Sequence, residues 1–291
     1  MATKARNASG KQIQQKNGTQ STASVAPTTT SSNGSSPSNG EMLRSLYVSL
    51  LRCRLMGERV LSSPGLVGKY HFAVEEEAVA VGATADLGTG DTMAASRRNL
   101  VALAAAGVRS HDLLSGFEGC GCHAAALLAF SSLSEDPFNA GTGIALAHKL
   151  AKQRHVVVAF GGEDAASLAS GCEAMKLAGS GKLPVIYVIQ NGEGDGGYAP
   201  HLRPVSLLAR DGGFPGVIVD GQDVVAVWRV AQESIHRARN GGGPTLIDCR
   251  MDAARDPLGH MEHYLRKRSL WDEAWRKKAE AKIRAELEGL T

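Results

Sequence analysis

Two short apolar runs, at residues 156–160 and 184–190, flank Gly161-Gly162-Glu163-Asp164 and a helix-like stretch at 165–178. Parallel strands need a crossover of a dozen or more residues, usually a helix, so this spacing reads as a βαβ unit. Neither run alternates with polar residues, which is the pattern of strands buried on both faces. A third strand is expected at 216–219, turning at Asp220-Gly221. A helix at 223–239, the Gly241-Gly242-Gly243 run and a fourth strand at 245–249 follow. The predicted fold is α/β: an open, mostly parallel, doubly wound sheet with helices on both faces. In such sheets ligands sit beyond the carboxyl ends of the strands, which is where the loop after Phe160 falls.

Upstream, Leu43, Leu46, Tyr47, Leu50, Leu51, Leu55 and Val60 recur at helical spacing and predict a helix ending before Ser62-Ser63-Pro64-Gly65. Residues 76–85 read as a second helix and 99–106 as a third, with a short segment through Ala95 between them. Residues 1–40 hold no aromatic, and 22 of them are Ser, Thr, Asn or Gln. Such a segment buries too little apolar surface to offset its chain entropy, so it is expected to be a disordered tail before a single domain at 41–291.

The formal charge of +3 belongs to that tail. Lys4, Arg6, Lys11 and Lys16 face no acid there, which leaves 28 basic against 29 acidic residues in the rest. A nucleic-acid surface is not expected: Arg266-Lys267-Arg268 and Arg276-Lys277-Lys278 alternate with Glu273 and Glu280, as on an ion-paired helix. No run reaches the ~18 apolar residues of a membrane span, and the N-terminus lacks the apolar middle of a secretory signal. Five scattered cysteines fit reduced thiols. A cytoplasmic chain is the expectation.

The loop at 161–164 has two local readings. Its backbone N–H groups and helix dipole can receive an anion, and its carboxylates can hold a divalent cation that bridges to phosphate. Alternatively it is a plain glycine turn with Asp164 or Ser167 as the helix N-cap. The GxGxxG and GxxxxGK[ST] patterns are both missing, which argues against nicotinamide and nucleoside-triphosphate enzymes. Cys120-x-Cys122-His123 reads as a loop and not a zinc site, and His260 and His263 as solvated helix residues.

Taken as a whole, the segment from Phe160 to Gly192, with Lys182-Leu183-Pro184, the apolar strand and Gln190-Asn191-Gly192, resembles the thiamine-diphosphate motif of the alpha subunit of 2-oxo acid dehydrogenase first components. Those are the pyruvate, branched-chain and acetoin types. In that family the motif runs Gly-Asp-Gly-Ala-Ala-Asn, a helix with Glu, Lys-Leu-Pro, a strand and Glu-Asn-Asn. Gly162, Glu163 and Asp164 fall on Gly-Asp-Gly, Glu173 on the helix Glu, and Gln190-Asn191-Gly192 on Glu-Asn-Asn. Glu77-Ala78 resembles the end of Gly-Gln-Glu-Ala, and Gly90-Asp91 with Arg98 resembles Pro-Gly-Asp and the arginine that binds diphosphate. Ala140 to Ala147 resembles the Leu-Gly-Thr-Gly helix, Val219-Asp220-Gly221-Gln222-Asp223 resembles Val-Asp-Gly-Met-Asp, and the family's closing helices have counterparts from Asp256 to Glu273.

The resemblance implies an alpha-type subunit that binds thiamine diphosphate and Mg²⁺ and acts with a beta subunit to decarboxylate a 2-oxo acid. The acyl group would pass to a lipoyl-bearing acyltransferase component, within a homodimer or α₂β₂ assembly. It implies Arg98, Gly161, Gly162, Glu163, Asp164 and Asn191 as cofactor-binding residues, with Glu163, Asp164 and Asn191 toward the metal; it singles out no catalytic residue. Glu163 stands for the metal-binding Asp and Asp164 for a glycine, and a one-residue slip would make Asp164 the ligand. Gly192 stands for the second Asn, whose side chain binds metal, so that oxygen is lost unless Asn191 shifts into its place. Arg97 and Leu100 replace Tyr and His. Ser132-Leu133-Ser134-Glu135 occupies the pyrimidine end, and the loops around Gly119–His123 and Arg250–Arg255 are shortened. An alternative expectation is therefore a non-catalytic homologue with an eroded site, serving as an assembly or regulatory subunit.

Overall fold

The computed structural model describes residues 39–63, 72–96, 100–105, 107, 129–131, 136–162, 165–166, 169–192 and 205–288. In chain order these form α1 (Asn39–Leu61), a single 3₁₀ turn (Val74–Glu76), α2 (Glu77–Thr84), β1 (Thr92–Ser96), α3 (Leu100–Ala105), β2 (Ala129–Ser131), α4 (Asp136–Leu150), β3 (Val157–Gly162) and α5 (Ala169–Ser180). β4 (Val185–Gly192), α6 (Val205–Asp211), β5 (Gly216–Asp220), α7 (Val224–Arg239), β6 (Thr245–Met251), α8 (Pro257–Lys267) and α9 (Glu273–Glu288) follow.

The six strands make one sheet in the order β2-β1-β3-β4-β6-β5, and every pairing is parallel. The expected doubly wound sheet is present, and it is wholly parallel among the described strands. Alternation along the strands divides the core in two. Val158, Phe160, Ile186, Val188, Ile247 and Cys249 face α1, α2, α3 and α7. Val157, Ala159, Val185, Tyr187, Ile189 and Leu246 face α4, α5 and α6. With helices on both faces the strands need no polar side, which is why their sequences read as continuous apolar runs.

Local chemistry sets the helix ends. Asp223 caps α7, its carboxylate accepting from the amides of Val225 and Ala226 at 2.9 and 3.1 Å. Asp256 caps α8 through the Leu258 amide, with Pro257 in the first turn. All eight residues of α2 are buried, because the helix is enclosed by α1, α3 and α7. Of the two basic clusters, Arg266 pairs with Glu262 and Arg276 with Glu280, which also takes Arg284, while Arg268 lies over the Tyr264 ring.

The close of α5 is packed backbone to backbone. A Cβ on Gly179 would lie 1.7 Å from the carbonyl oxygen of Gly212, a main-chain atom that no rotamer change can move. Gly179→Ala is expected to cost about 1–3 kcal/mol, read as an earlier urea midpoint at unchanged slope.

Cys53 and Cys249 are buried thiols, and burial pushes both far above the usual thiol range, which keeps them inert. Among the described residues no helix is long and apolar enough to cross a membrane. Apart from Asn39 and Gly40, which open α1, the expected tail lies outside the described residues, as does the Cys120-x-Cys122-His123 loop.

Candidate functional site

The chain runs from β1 outward to β2 on one side, then returns to β3 and β4 on the other, so the order reverses between β1 and β3. Crevices at such reversals, beyond the carboxyl ends, are where open α/β sheets bind ligands. Here the two strands part: their ladder stops at Ala94↔Ala159, while β1 runs on to Ser96 and β3 to Gly162. On its other side β3 stays paired with β4 through Gly162↔Gln190.

Gly161 and Gly162, expected in the turn, are instead the last residues of β3. β4 carries the ladder with it, Gly161 pairing with Ile189 and Gly162 with Gln190, so the strand ends two residues later than the glycines suggest. Gly161 is buried, and a Cβ there would lie 2.7 Å from Cζ of Phe138, so the ring rests directly on the strand backbone. Phe138 meets Tyr187 edge-on at 5.3 Å, and the Tyr187 hydroxyl lies 2.6 Å from Thr142 Oγ1. Burial pushes the Tyr187 phenol well above its ordinary range, so it stays neutral. These contacts make a rigid floor on the α4 side of the crevice. Arg98, Glu163 and Asp164 follow β1 and β3 in sequence and lie outside the described residues.

Asn191 is on β4 with 8% of its surface exposed. Its Nδ2 donates to Asp248 Oδ1 at 3.1 Å, and Arg250 donates to Asp248 Oδ2 at 2.7 Å. Asp248 is 1% exposed, so this carboxylate is held in the sheet by partners from β4 and β6. Sequence reasoning passed over Asp248; the signal was an acid inside an apolar strand buried on both faces, where an unpaired charge is not tolerated.

A second buried acid is Glu77, the first residue of α2: its side chain is fully buried and bound to Arg54, Nε to Oε1 at 2.7 Å and an Nη to Oε2 at 2.8 Å. The same guanidinium donates to Asp256 Oδ1 at 2.6 Å, tying α1 to α2 and to the cap of α8.

The family model described as "Dehydrogenase E1 component" matches residues 48–252. The chain belongs to this family. Its relatives include the alpha subunit of the acetoin:2,6-dichlorophenolindophenol oxidoreductase of Bacillus subtilis (strain 168), 32% identical over 70% of this chain and 68% of that one. The Cupriavidus necator protein of the same name is 32% identical over 74% and 71%. The chloroplastic pyruvate dehydrogenase E1 component subunit alpha-3 of Arabidopsis thaliana is 33% identical over 60% of this chain and 45% of that subunit. The matched span covers every strand of the sheet, and the protein is a divergent alpha-type member of the E1 family.

Against the donor set implied for an E1 metal ion, the β4 strand does not fit. Among the described residues no three His, Cys, Asp or Glu side chains converge. Asn191 has its amide nitrogen committed to Asp248 on the face of Tyr187 and Ile189. Gly192, on the opposite face near Met251, has no side-chain oxygen to offer.

Proposed function

We propose that the chain is the alpha-type half of a thiamine-diphosphate-dependent 2-oxo acid dehydrogenase first component, working with a beta subunit and passing the acyl group to a lipoyl-bearing acyltransferase. The observation that carries this reading is the parting of β1 and β3 at the chain reversal. The Arg98 position and the Glu163-Asp164 pair follow these two strands in sequence. Thiamine diphosphate held there would supply the nucleophilic chemistry for decarboxylating a 2-oxo acid. The chain's own contribution is positional: Phe138 and Tyr187 stiffen the floor, β3 and β4 hold the crevice wall, and Arg98 is the cation for the diphosphate. The beta subunit would hold the other end of the cofactor.

A second reading is an assembly or regulatory subunit that keeps the fold and has lost the chemistry. The glycine at 192, with Asn191 turned to the other face, favours it. Calorimetric titration with thiamine diphosphate and Mg²⁺, with and without a candidate beta subunit, separates the two. Heat and a thermal shift in the presence of the partner support the enzyme. Formation of a complex with the partner, with neither signal, supports the assembly role. Glu163→Asp, which shortens the carboxylate arm by one methylene, is expected to tighten cofactor binding in the first case and to change nothing in the second.

A further inference from the structure

Asn191 and Gly192 are neighbours at the carboxyl end of β4, yet the pleat sends them to opposite faces. The ladder between β4 and β6 runs without interruption from Ile186↔Thr245 to Gly192↔Met251. No bulge along it lets Asn191 take the place of Gly192, and a one-residue slip would turn every side chain of β4 to the wrong side. Asn191 is also held to that face: its amide nitrogen meets Asp248 Oδ1, whose second oxygen takes Arg250, which fixes the side chain on the side away from Gly192. A carboxylate 1% exposed is costly to leave short of partners, so these bonds belong to the sheet.

Gly192 is the reverse case. Its φ lies outside the left-handed region, and among the described residues a Cβ built there meets only the terminal methyl of Met251, at an ordinary 3.5 Å. Among those residues neither backbone nor neighbours require a glycine at this position, which carries no side chain.

We infer that Asn191 is an interstrand clasp for Asp248 and not a metal ligand, and that the metal-binding place on β4 is Gly192, so the chain offers a divalent cation one protein oxygen fewer than the motif it resembles. The inference rests on reading this crevice as the cofactor site. It is tested on the full chain by calorimetry with thiamine diphosphate and by Mn²⁺ titration followed by electron paramagnetic resonance. Gly192→Asn should tighten Mn²⁺ binding about tenfold or more while Tm moves little. Asn191→Ala, placed in the Gly192→Asn background, should keep that gain and lower Tm by about 4–8 °C. Asp248→Leu, of similar volume but with no acceptor oxygen for Asn191 Nδ2, should do the same and covers the case in which the alanine variant does not fold.

Loss of Mn²⁺ binding in Asn191→Ala at unchanged Tm would overturn the inference. So would a Gly192→Asn protein that binds thiamine diphosphate but gains no affinity for Mn²⁺. A failure of the cofactor reading looks different: no thiamine-diphosphate heat in any variant, which removes the metal half of the inference as well.

Discussion

Arg54→Met is expected to lower the unfolding free energy by about 3–5 kcal/mol at pH 8, as befits a buried ion pair stripped of one partner. The Glu77 side chain is 0% exposed and Arg54 keeps 19%, so removing the guanidinium strands a carboxylate between α1 and α2 and frees the Asp256 cap. Burial is the dominant influence on Glu77, pushing its pKa from 4.5 up to about 7 even though Arg54 pulls it down. On Arg54 burial favours loss of the proton, but the hydrogen bonds and charge of Glu77, joined by Asp256, outweigh it, and the guanidinium stays charged. The two effects oppose each other. The carboxyl rises because it is the fully enclosed partner, whereas the guanidinium also reaches the half-exposed Asp256.

The sign of the pH dependence follows. Below about pH 4.5 Glu77 is protonated in both states; from there to about 7 the folded protein retains a proton that the unfolded chain has released. This group's contribution is therefore full at low pH and declines as pH rises through 7. Urea unfolding of the parent relative to Glu77→Gln should show an advantage near pH 5 that falls by about 2 kcal/mol by pH 8. The Arg54→Met loss should shrink at pH 5, where the abandoned carboxyl is neutral. Pairing Arg54→Met with Glu77→Leu should recover most of it, since apolar replacement of a buried pair is often neutral. A loss independent of pH would show that Glu77 does not titrate there.

Phe138→Ala is the second large effect, about 3–5 kcal/mol, the usual result of emptying a fully enclosed aromatic site. The cavity would open under Gly161 and beside Tyr187, so the damage should be local as well as global. Amide exchange at Gly161 and Gly162 should accelerate ahead of exchange in β5 and β6, which lie beyond β4 in the sheet. Phe138→Leu should retain part of the stability. Equal acceleration throughout the sheet would argue that Phe138 is ordinary core and no special support of the crevice.

The strands around the motif were legible because helices cover both their faces, leaving Val, Ile and Tyr in unbroken runs with Lys182-Leu183-Pro184 to mark the entry to β4. β1 and β2 were not. Thr92-Met93-Ala94-Ala95-Ser96 and Ala129-Phe130-Ser131 are short and rich in small residues, and alanine gives neither a strand period nor a strand propensity. β6 was expected to end at Cys249 but extends to Met251, because pairing with β4 carries polar Arg250 into the ladder. At the site, Asn191 was expected just past a strand ending at Gln190, and it lies inside β4, which runs to Gly192. Its partner could not be read, because Asp248 is 57 residues away and the two meet only once β6 lies beside β4.

That sheet order has a consequence for the chain as it is made. β6, the last strand in sequence, lies between β4 and β5, and β5 pairs with no other strand among those described. A nascent chain stopped before Thr245 holds β4 with one edge bare and β5 with no neighbour. Bare strand edges of this kind are templates for aggregation. The sheet is therefore completed from its C-terminal end, and Asp248 arrives with the strand that closes it.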